Sequence, residues 1–477
     1  MKSESCAEPE PMLIGGSWVR SSTVLEVRNP LDRHLVATVS TGTASDVREA
    51  IRAAAASLES DFPAHQRYEV LMRAAARIEE SKDDYAMTIA REGSKTIREA
   101  RREPVRSAAI LRLSAEEGRR ICGETLPFDS RVGSENRVGY WFRFPVGIVG
   151  AITPFNDPLA VAAHKVAPAL AAGNAVVLKP ASATPLSALH LARDLMEAGL
   201  PSGRLSVIPG RAADLGEAIV TDPRVRLVTF TGGVDAGTWI TSRAGVKKLV
   251  LELGSNSPVI VLPDAILGRA VPAIAAGAFA QAGQNCLGVQ RVFVHADIYD
   301  SFARLFIDHV STLRAGSSLD EATDVCAMIS EREASRVDEW IQEAMAAGAR
   351  VLVGGRREGT LVWPTVLDQV PEGVRLDCQE VYGPVVSLYR VDSLDEAIKR
   401  ANAVEYGLHA AIFTESLRDA FSAVRRLAFG AVIVNDSTDY RLDVMPFGGT
   451  KLSGIGREGI RFAVQEMTET RVVCLNL

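Results

Sequence analysis

Cysteine is scarce and scattered in this chain: six residues, Cys6, Cys122, Cys286, Cys326, Cys378 and Cys474, among 477, with no C-x-x-C pair. That spacing argues against a disulfide framework. No histidine stands at metal-ligand spacing from any of them, so no metal site is expected. Long apolar runs are missing too. The opening MKSESCAEPEPM lacks the apolar core of a secretion signal, and the most apolar later stretch, 159–178, is broken by His164, Lys165, Pro168 and Asn174. A soluble, cytoplasmic protein without a membrane partner is expected. Charge of one sign is also absent. Lys and Arg number 53 against 59 Asp and Glu, a formal net charge of -6 with no long block of like charge, which argues against nucleic acid as a partner.

What is present is enough chain for two or three domains. Residues 46–58 and 67–91 have the pattern of amphipathic or alanine-rich helices, the first opened by Ser45 or Asp46 as a cap. From residue 144 apolar β-rich runs alternate with helical segments: VGIVGAI, a helix at 158–172, AVVLKP, a helix at 184–199, RLSVIPG, a helix at 211–221, VRLVTFTG, and a helix from about 235. Strand and helix alternating at this spacing predict a parallel sheet covered on both faces. A second such region starts near 258 with PVIVLP and runs through RVFVHA, a helix at 298–313, ARVLVGG, PVVSLYRV and GAVIVND. The expected fold class is therefore α/β. Two further segments, 123–145 and TETRVVCLNL, alternate like exposed strands, which predicts a small sheet used in homo-oligomerisation.

Four places along the chain invite chemistry. VTFTGGVDAG, 228–237, supplies small residues at a strand-to-helix turn, where backbone N–H groups can face a phosphate; an ordinary tight turn fits equally well. Lys179 ends the strand AVVLK, where open α/β sheets bind ligands, or is a solvated strand-end lysine. Glu252 sits in the apolar run LVLELGSNSPVIV, read as a strand; burial would raise its pKa and suit it to accept a proton, unless it is a buried salt-bridge partner. Cys286, in FAQAGQNCLGVQRV, lies among small and amide residues that allow close approach of a substrate. It reads either as a nucleophile or as a small buried hydrophobe.

Taken in order, TPFNDP, APALAAGNAVVLKPASATP, EAGLPSGRLSVIPG, FTGG, LELGSNSP, GQNC, EVYGPV and PFGGTKLSGIGREG closely resemble the motif series of the aldehyde dehydrogenase superfamily, from about residue 14 to the C-terminus. The resemblance implies a Rossmann-like NAD(P)-binding domain at 1–122 and 146–252 and an α/β catalytic domain carrying the cysteine at 253–434. Oligomerisation strands and a substrate-anchoring loop would occupy 123–145 and 435–477, in a homodimer or homotetramer. Cys286 would attack the aldehyde, Asn156 would hold the oxyanion, and Glu252 would activate the water that releases the acid. Cofactor contacts would come from Thr153, Pro154, Phe155, Lys179, Ser182, Gly210, Arg211, Gly216, Thr231, Gly232, Gly233, Leu253, Gly254, Glu380 and Tyr382.

Departures from the family pattern bear on specificity. Ser182 stands where NAD-preferring relatives carry a glutamate that repels a 2′-phosphate, so NADP as well as NAD is expected, with Arg211 as a phosphate partner or a mere surface charge. Gly233 replaces a serine, Phe155 a tryptophan and Asn256 a frequent lysine. The resemblance is to the branch of lactaldehyde, succinic semialdehyde and phosphono-aldehyde dehydrogenases, and Arg441 and Arg106 could hold an anionic tail, or form ion pairs within or between subunits. Phosphonoacetaldehyde enzymes, however, tend to carry histidine at Asp157 and arginine at Asn285. Asp157 would repel a dianion if it faced the pocket, which points to a small aldehyde with at most one negative charge. The alternatives are a phosphono- or sulfo-aldehyde dehydrogenase, a CoA-acylating enzyme, against which Glu252 argues, an esterase side activity, and a silent scaffold.

Overall fold

A computed structural model describes residues 8–477. Cys6 and the first seven residues of MKSESCAEPEPM lie outside the described residues.

The first sheet has eight strands in the order Ser17–Val19, Met12–Ile14, Leu205–Val207, Ala175–Lys179, Ile148–Ile152, Val225–Thr231, Lys248–Glu252 and Gly454–Ile455. The five from Leu205–Val207 to Lys248–Glu252 are parallel. Their near-continuous apolar character follows from burial on both faces. In register, Ile152 pairs with Lys179 and Thr231 with Glu252, so these residues end their strands along one edge. Gly454–Ile455 comes from late in the chain and pairs antiparallel with Leu251 and Glu252.

The second sheet has seven strands, ordered Arg350–Val353, Thr365–Asp368, Val385–Val391, Val289–His295, Ser257–Val261, His409–Phe413 and Ala431–Val434; all neighbours but the first pair are parallel. The run 249–261 is thus not one strand. Glu252 ends a strand of the first sheet, Ser257 begins one of the second, and the four residues between cross from one domain to the other.

The two leftover segments find each other: Thr468–Asn476 pairs antiparallel with Arg137–Pro145 over nine residues, and Glu124–Leu126 adds a third strand. Local chemistry corrects two expectations. The first helix, Ala44–Ser57, is capped by Thr43, not by Ser45 or Asp46, and Asp46 returns a bond to the Thr43 backbone as a capping box. The stretch 67–91 is two helices, Ala64–Glu80 and Lys82–Glu92, separated at Ser81, whose φ of -104° and ψ of 20° leave the helical region. No helix among the described residues is long and apolar enough to cross a membrane.

Candidate active site

The carboxyl edge of the first sheet meets the amino edge of the second. Cys286 precedes the strand Val289–His295 by three residues, and Tyr382 precedes Val385–Val391 by the same interval. Cys286 is set up by Gln281, Ala282 and Gly283, all left-handed at φ 54°, 55° and 68°. Two such residues in succession that are not glycine are costly, and the surroundings hold them. The Gln281 N–H donates to Glu99 Oε1 at 2.8 Å, and the fully buried Gln284 accepts from the Ile329 N–H at 3.0 Å. At Gly283 a Cβ would lie 2.1 Å from the Gly383 carbonyl oxygen, so only glycine fits.

Around the thiol the charges are few and placed. Burial pushes the Cys286 thiol up; Arg441 opposes that rise, while Glu252, Glu380 and Asp157 add to it. Glu252 is 2% exposed, and among the described residues neither carboxylate oxygen has a hydrogen-bond donor. Burial raises its pKa well above the usual carboxylate range, and the negative Glu458 adds to the rise against Arg441, Lys165 and Arg457. The salt-bridge reading of Glu252 therefore fails on geometry. The buried salt bridge lies one layer behind it, where Lys165 Nζ donates to Glu458 Oε1 at 2.8 Å and to Thr229 Oγ1 at 3.0 Å. Burial would raise Glu458, but Lys165 and Arg441 outweigh it and hold its pKa near 2.

Asn156 is buried between Phe155 and Asp157, and its Oδ1 has no partner. The Phe155 ring meets Tyr382 edge-on at 6.0 Å, which brings the Asn156 segment to the segment that carries Glu380 and Tyr382. Glu380 accepts from the Ser255 N–H at 2.8 Å, and burial lifts its pKa to about 7. Gly254 makes room for it, since a Cβ there would lie 2.5 Å from Glu380 Oε2.

The first-sheet candidates line up as a row. Lys179 is 3% exposed, its Nζ reaches only the Pro180 carbonyl among the described residues, at 2.8 Å, and burial brings its pKa down to about 8. It is therefore not a solvated lysine. Thr153 donates its N–H to the Lys179 carbonyl at 3.2 Å, and Pro154 and Phe155 follow it. Thr231 Oγ1 is buried without a partner, the Gly232 N–H donates to the Glu252 carbonyl at 3.0 Å, and Gly233 opens the helix Val234–Arg243 with empty space where a Cβ would stand. Leu253 donates its N–H to Ser453 O at 3.0 Å, and the space at Gly216 is likewise empty. Ser182 Oγ donates to the Gly210 carbonyl at 2.8 Å, and Arg211 is 78% exposed with one weak contact, 3.9 Å to Asp214.

The substrate-side candidates separate. Arg106 is consumed by Asp443, with three contacts of 2.8 to 3.3 Å, and His164 Nε2 shares that carboxylate at 2.7 Å. Arg441 lies over Phe447, 3.6 Å from the ring centroid, reaches Glu458 only at 3.5 Å, and has a buried Nε without a partner. Asp157 is an ion-pair partner of Lys95, and Lys95 and Arg106 outweigh its burial to keep it ionised. Asn285 Oδ1 accepts from the Leu287 N–H at 3.0 Å, shaping the turn after the thiol. Asn256 accepts from the buried Arg291 Nε at 3.0 Å and donates to the Asp377 and Gln379 carbonyls at 3.0 and 3.1 Å.

Reading the sequence missed Lys95, Lys165, Asp443, Glu458 and the buried Glu103, which shares Lys95 with Asp157 and accepts from the Leu159 and Ala160 N–H groups at 2.8 and 2.9 Å. For Lys165 a signal existed: it interrupts the most apolar stretch of the chain, and a charge inside the buried helix Ala160–Ala171 needs a partner.

The model of the aldehyde dehydrogenase family matches residues 18–473. A 3-sulfolactaldehyde dehydrogenase of Priestia megaterium is 44% identical over 98% of this chain and 98% of its own length. The crystal structure of aldehyde dehydrogenase 21 from Physcomitrella patens, in complex with the reaction product succinate, superposes with a TM-score of 0.96 at 38% identity, over 98% of this chain and 99% of that one. An NADP-dependent glyceraldehyde-3-phosphate dehydrogenase from Bacillus halodurans, complexed with NADP, gives 0.96 at 36% identity, over 99% and 100%. With the family model matched over residues 18–473 and relatives 36 to 44% identical over nearly its whole length, the chain belongs to the aldehyde dehydrogenase family.

Proposed function

We propose that this protein oxidises a small aldehyde carrying one negative charge to its carboxylic acid, with NADP or NAD as oxidant. One observation carries the reading: Glu252 is a buried carboxylate with both oxygens free, beside the Cys286 thiol and under the influence of Arg441.

The dinucleotide site is supported by groups that are under-used among the described residues: the Lys179 ammonium, which meets one backbone carbonyl, the unpartnered Thr231 hydroxyl and the open helix start at Gly233. Lys179 and Glu380 would hold the two riboses, and the nicotinamide, when bound, accepts a hydride from the substrate carbon. Ser182 presents no carboxylate to a 2′-phosphate and Arg211 is free to meet one, which supports use of NADP.

Arg441 favours the Cys286 thiolate, and Glu252 can take the thiol proton. The sulfur adds to the aldehyde carbon, and Asn156 Nδ2 with the Cys286 N–H holds the oxygen that becomes negative. Loss of hydride from that carbon leaves an acyl group on sulfur. Glu252, made more basic by burial and by Glu458, takes a proton from water as its oxygen adds to the thioester carbonyl. The C–S bond breaks, the acid leaves and the thiolate is restored. Arg441, the under-satisfied cation, would anchor the anionic tail.

The test is reduction of NADP and NAD, in parallel, with lactaldehyde, succinic semialdehyde, phosphonoacetaldehyde and neutral aliphatic aldehydes. Cys286→Ala should abolish turnover. Substantial oxidation by that variant, or none of any aldehyde by the native enzyme, would sink the reading.

A further inference from the structure

The stretch 92–103 carries three glutamates, and each holds a different loop. Glu92 accepts from the Leu186 and Ser187 N–H groups at 2.8 and 3.0 Å, and Glu103 accepts from those of Leu159 and Ala160. Both serve as acceptors at a helix start, where N–H groups lack partners. Glu99 differs, because its two oxygens are divided. Oε2 closes a capping box on its own short helix, Ile97–Ala100, accepting from the Thr96 N–H at 2.9 Å and the Thr96 hydroxyl at 3.0 Å. Oε1 leaves that helix and accepts from the Gln281 N–H at 2.8 Å, 182 positions away.

What Oε1 meets is strained backbone. Gln281 and Ala282 have φ, ψ of 54°, 34° and 55°, 37°, the left-handed region that crowds Cβ against the following carbonyl in every residue but glycine. Two in succession persist only where other bonds hold them. From the other side, the Gln281 carbonyl accepts from the Gln284 N–H at 3.1 Å and from Gln284 Nε2 at 3.3 Å. The holder is itself fixed. The Ile97 N–H donates to the Ser318 carbonyl at 2.7 Å, and Arg98 donates to the Thr323 carbonyl at 2.7 Å and to Asp324 at 2.6 Å. Cys286 follows Gln281 by five residues, so a change of φ in this turn re-aims the thiol relative to Asn156 and Glu252.

We propose that Glu99 is the positioning residue of the nucleophile: it holds the Gln281–Ala282 turn in its left-handed form and so sets where the Cys286 sulfur stands. This rests on the oxidation reading above and extends it to a side chain that acts through the backbone rather than on the reacting atoms. Position matters steeply for addition at a carbonyl, since a displacement of about 1 Å costs roughly 10²-fold in rate.

The experiment separates the two oxygens in the full-length enzyme. Asp46 closes the same capping box on Thr43 with a shorter side chain, so Glu99→Asp keeps the helix cap while drawing the other oxygen back from Gln281 by one methylene. Its kcat/KM for the best aldehyde should fall roughly 10- to 100-fold, with melting temperature and KM for NADP near native. Adding Ala282→Gly relieves the left-handed crowding and should restore roughly fivefold or more of that loss, a recovery that a merely structural role would not give. Glu99→Gln, whose carbonyl can keep the Gln281 N–H while its amide donates to the Thr96 hydroxyl, should stay within about threefold of native. Gln281→Val, β-branched where φ is 54°, should show the same loss with Glu99 in place, and it decides the matter if Glu99→Asp does not fold. Native-level activity in Glu99→Asp or in Gln281→Val overturns the proposal, as does a loss in Glu99→Asp that Ala282→Gly leaves unchanged. A native enzyme that oxidises no aldehyde sinks the oxidation reading, and this proposal with it.

Discussion

Arg106 and Asp443 close on one another through three contacts of 2.8 to 3.3 Å, so the loop that carries Arg441 also neutralises Arg106. The two cations are thereby assigned different work. Arg441→Met should raise KM for anionic aldehydes roughly 10- to 100-fold while changing that for neutral aldehydes much less, the loss of a charge-assisted hydrogen bond. Arg106→Met should instead lower stability by about 1–3 kcal/mol, since Asp443 keeps only His164, and show no selective loss for anions. Substrate-series kinetics and thermal melts distinguish the two.

Glu252→Gln should permit the first turnover and block the second. A burst of reduced dinucleotide, followed by a steady rate lower by roughly 10²-fold or more, is the expected stopped-flow trace. In the native enzyme the acid limb of kcat follows the Glu252 carboxyl, which is inactive as a base when protonated. Its pKa is raised, so activity is lost as pH falls at values above the ordinary glutamate pKa of about 4.3.

Coenzyme choice should turn on residue 182. Ser182→Glu places a carboxylate where a 2′-phosphate would lie. It is expected to lower kcat/KM for NADP by roughly 30-fold or more through like-charge repulsion, leaving NAD in use. Arg211→Ala should weaken NADP alone, and less, because that side chain is 78% exposed and its charge is screened.

Lys179 has a pKa near 8, lowered by burial, so it is charged below that pH and neutral above it. KM for NADP should therefore be flat on the acid side and rise as pH passes 8. Lys179→Arg, which keeps its charge, should flatten the profile; the check is KM against pH for both proteins.

Asn256→Lys would restore the residue frequent in the family at the expense of this fold. The ammonium would be buried against Arg291, whose Nε now donates to Asn256 Oδ1 at 3.0 Å and whose own pKa burial already lowers to about 10. A loss of about 3 kcal/mol or more is expected, read as a fall in melting temperature. Tolerance of the lysine would show that Arg291 has another way to be satisfied.

The alternating strand and helix runs were legible because apolar periodicity reports burial directly, and the parallel pairing from Leu205–Val207 to Lys248–Glu252 was expected from that alternation, though not the order of the strands in the sheet. Splitting 249–261 between two sheets was not legible. LELGSNSP reads the same whether the chain continues straight or crosses between domains, and only Leu251 pairing with Ile455 on one side and Val259 with Val292 on the other decides it. The left-handed turn at Gln281 and Ala282 was equally hidden, since neither residue type favours it and Glu99, far off in sequence, holds it.

By itself the sequence determined the fold class, the family and the identities of Cys286, Glu252 and Asn156 as reactive candidates, because these rest on residue type and on order along the chain. Tertiary structure alone decided which charges are free. Asp157 and Arg106 could be marked in the sequence as substrate-side candidates but not as ion-pair partners, because Lys95 and Asp443 lie 62 and 337 positions away. Whether a charge can meet a substrate depends on what already neutralises it in space, and sequence distance carries no record of that.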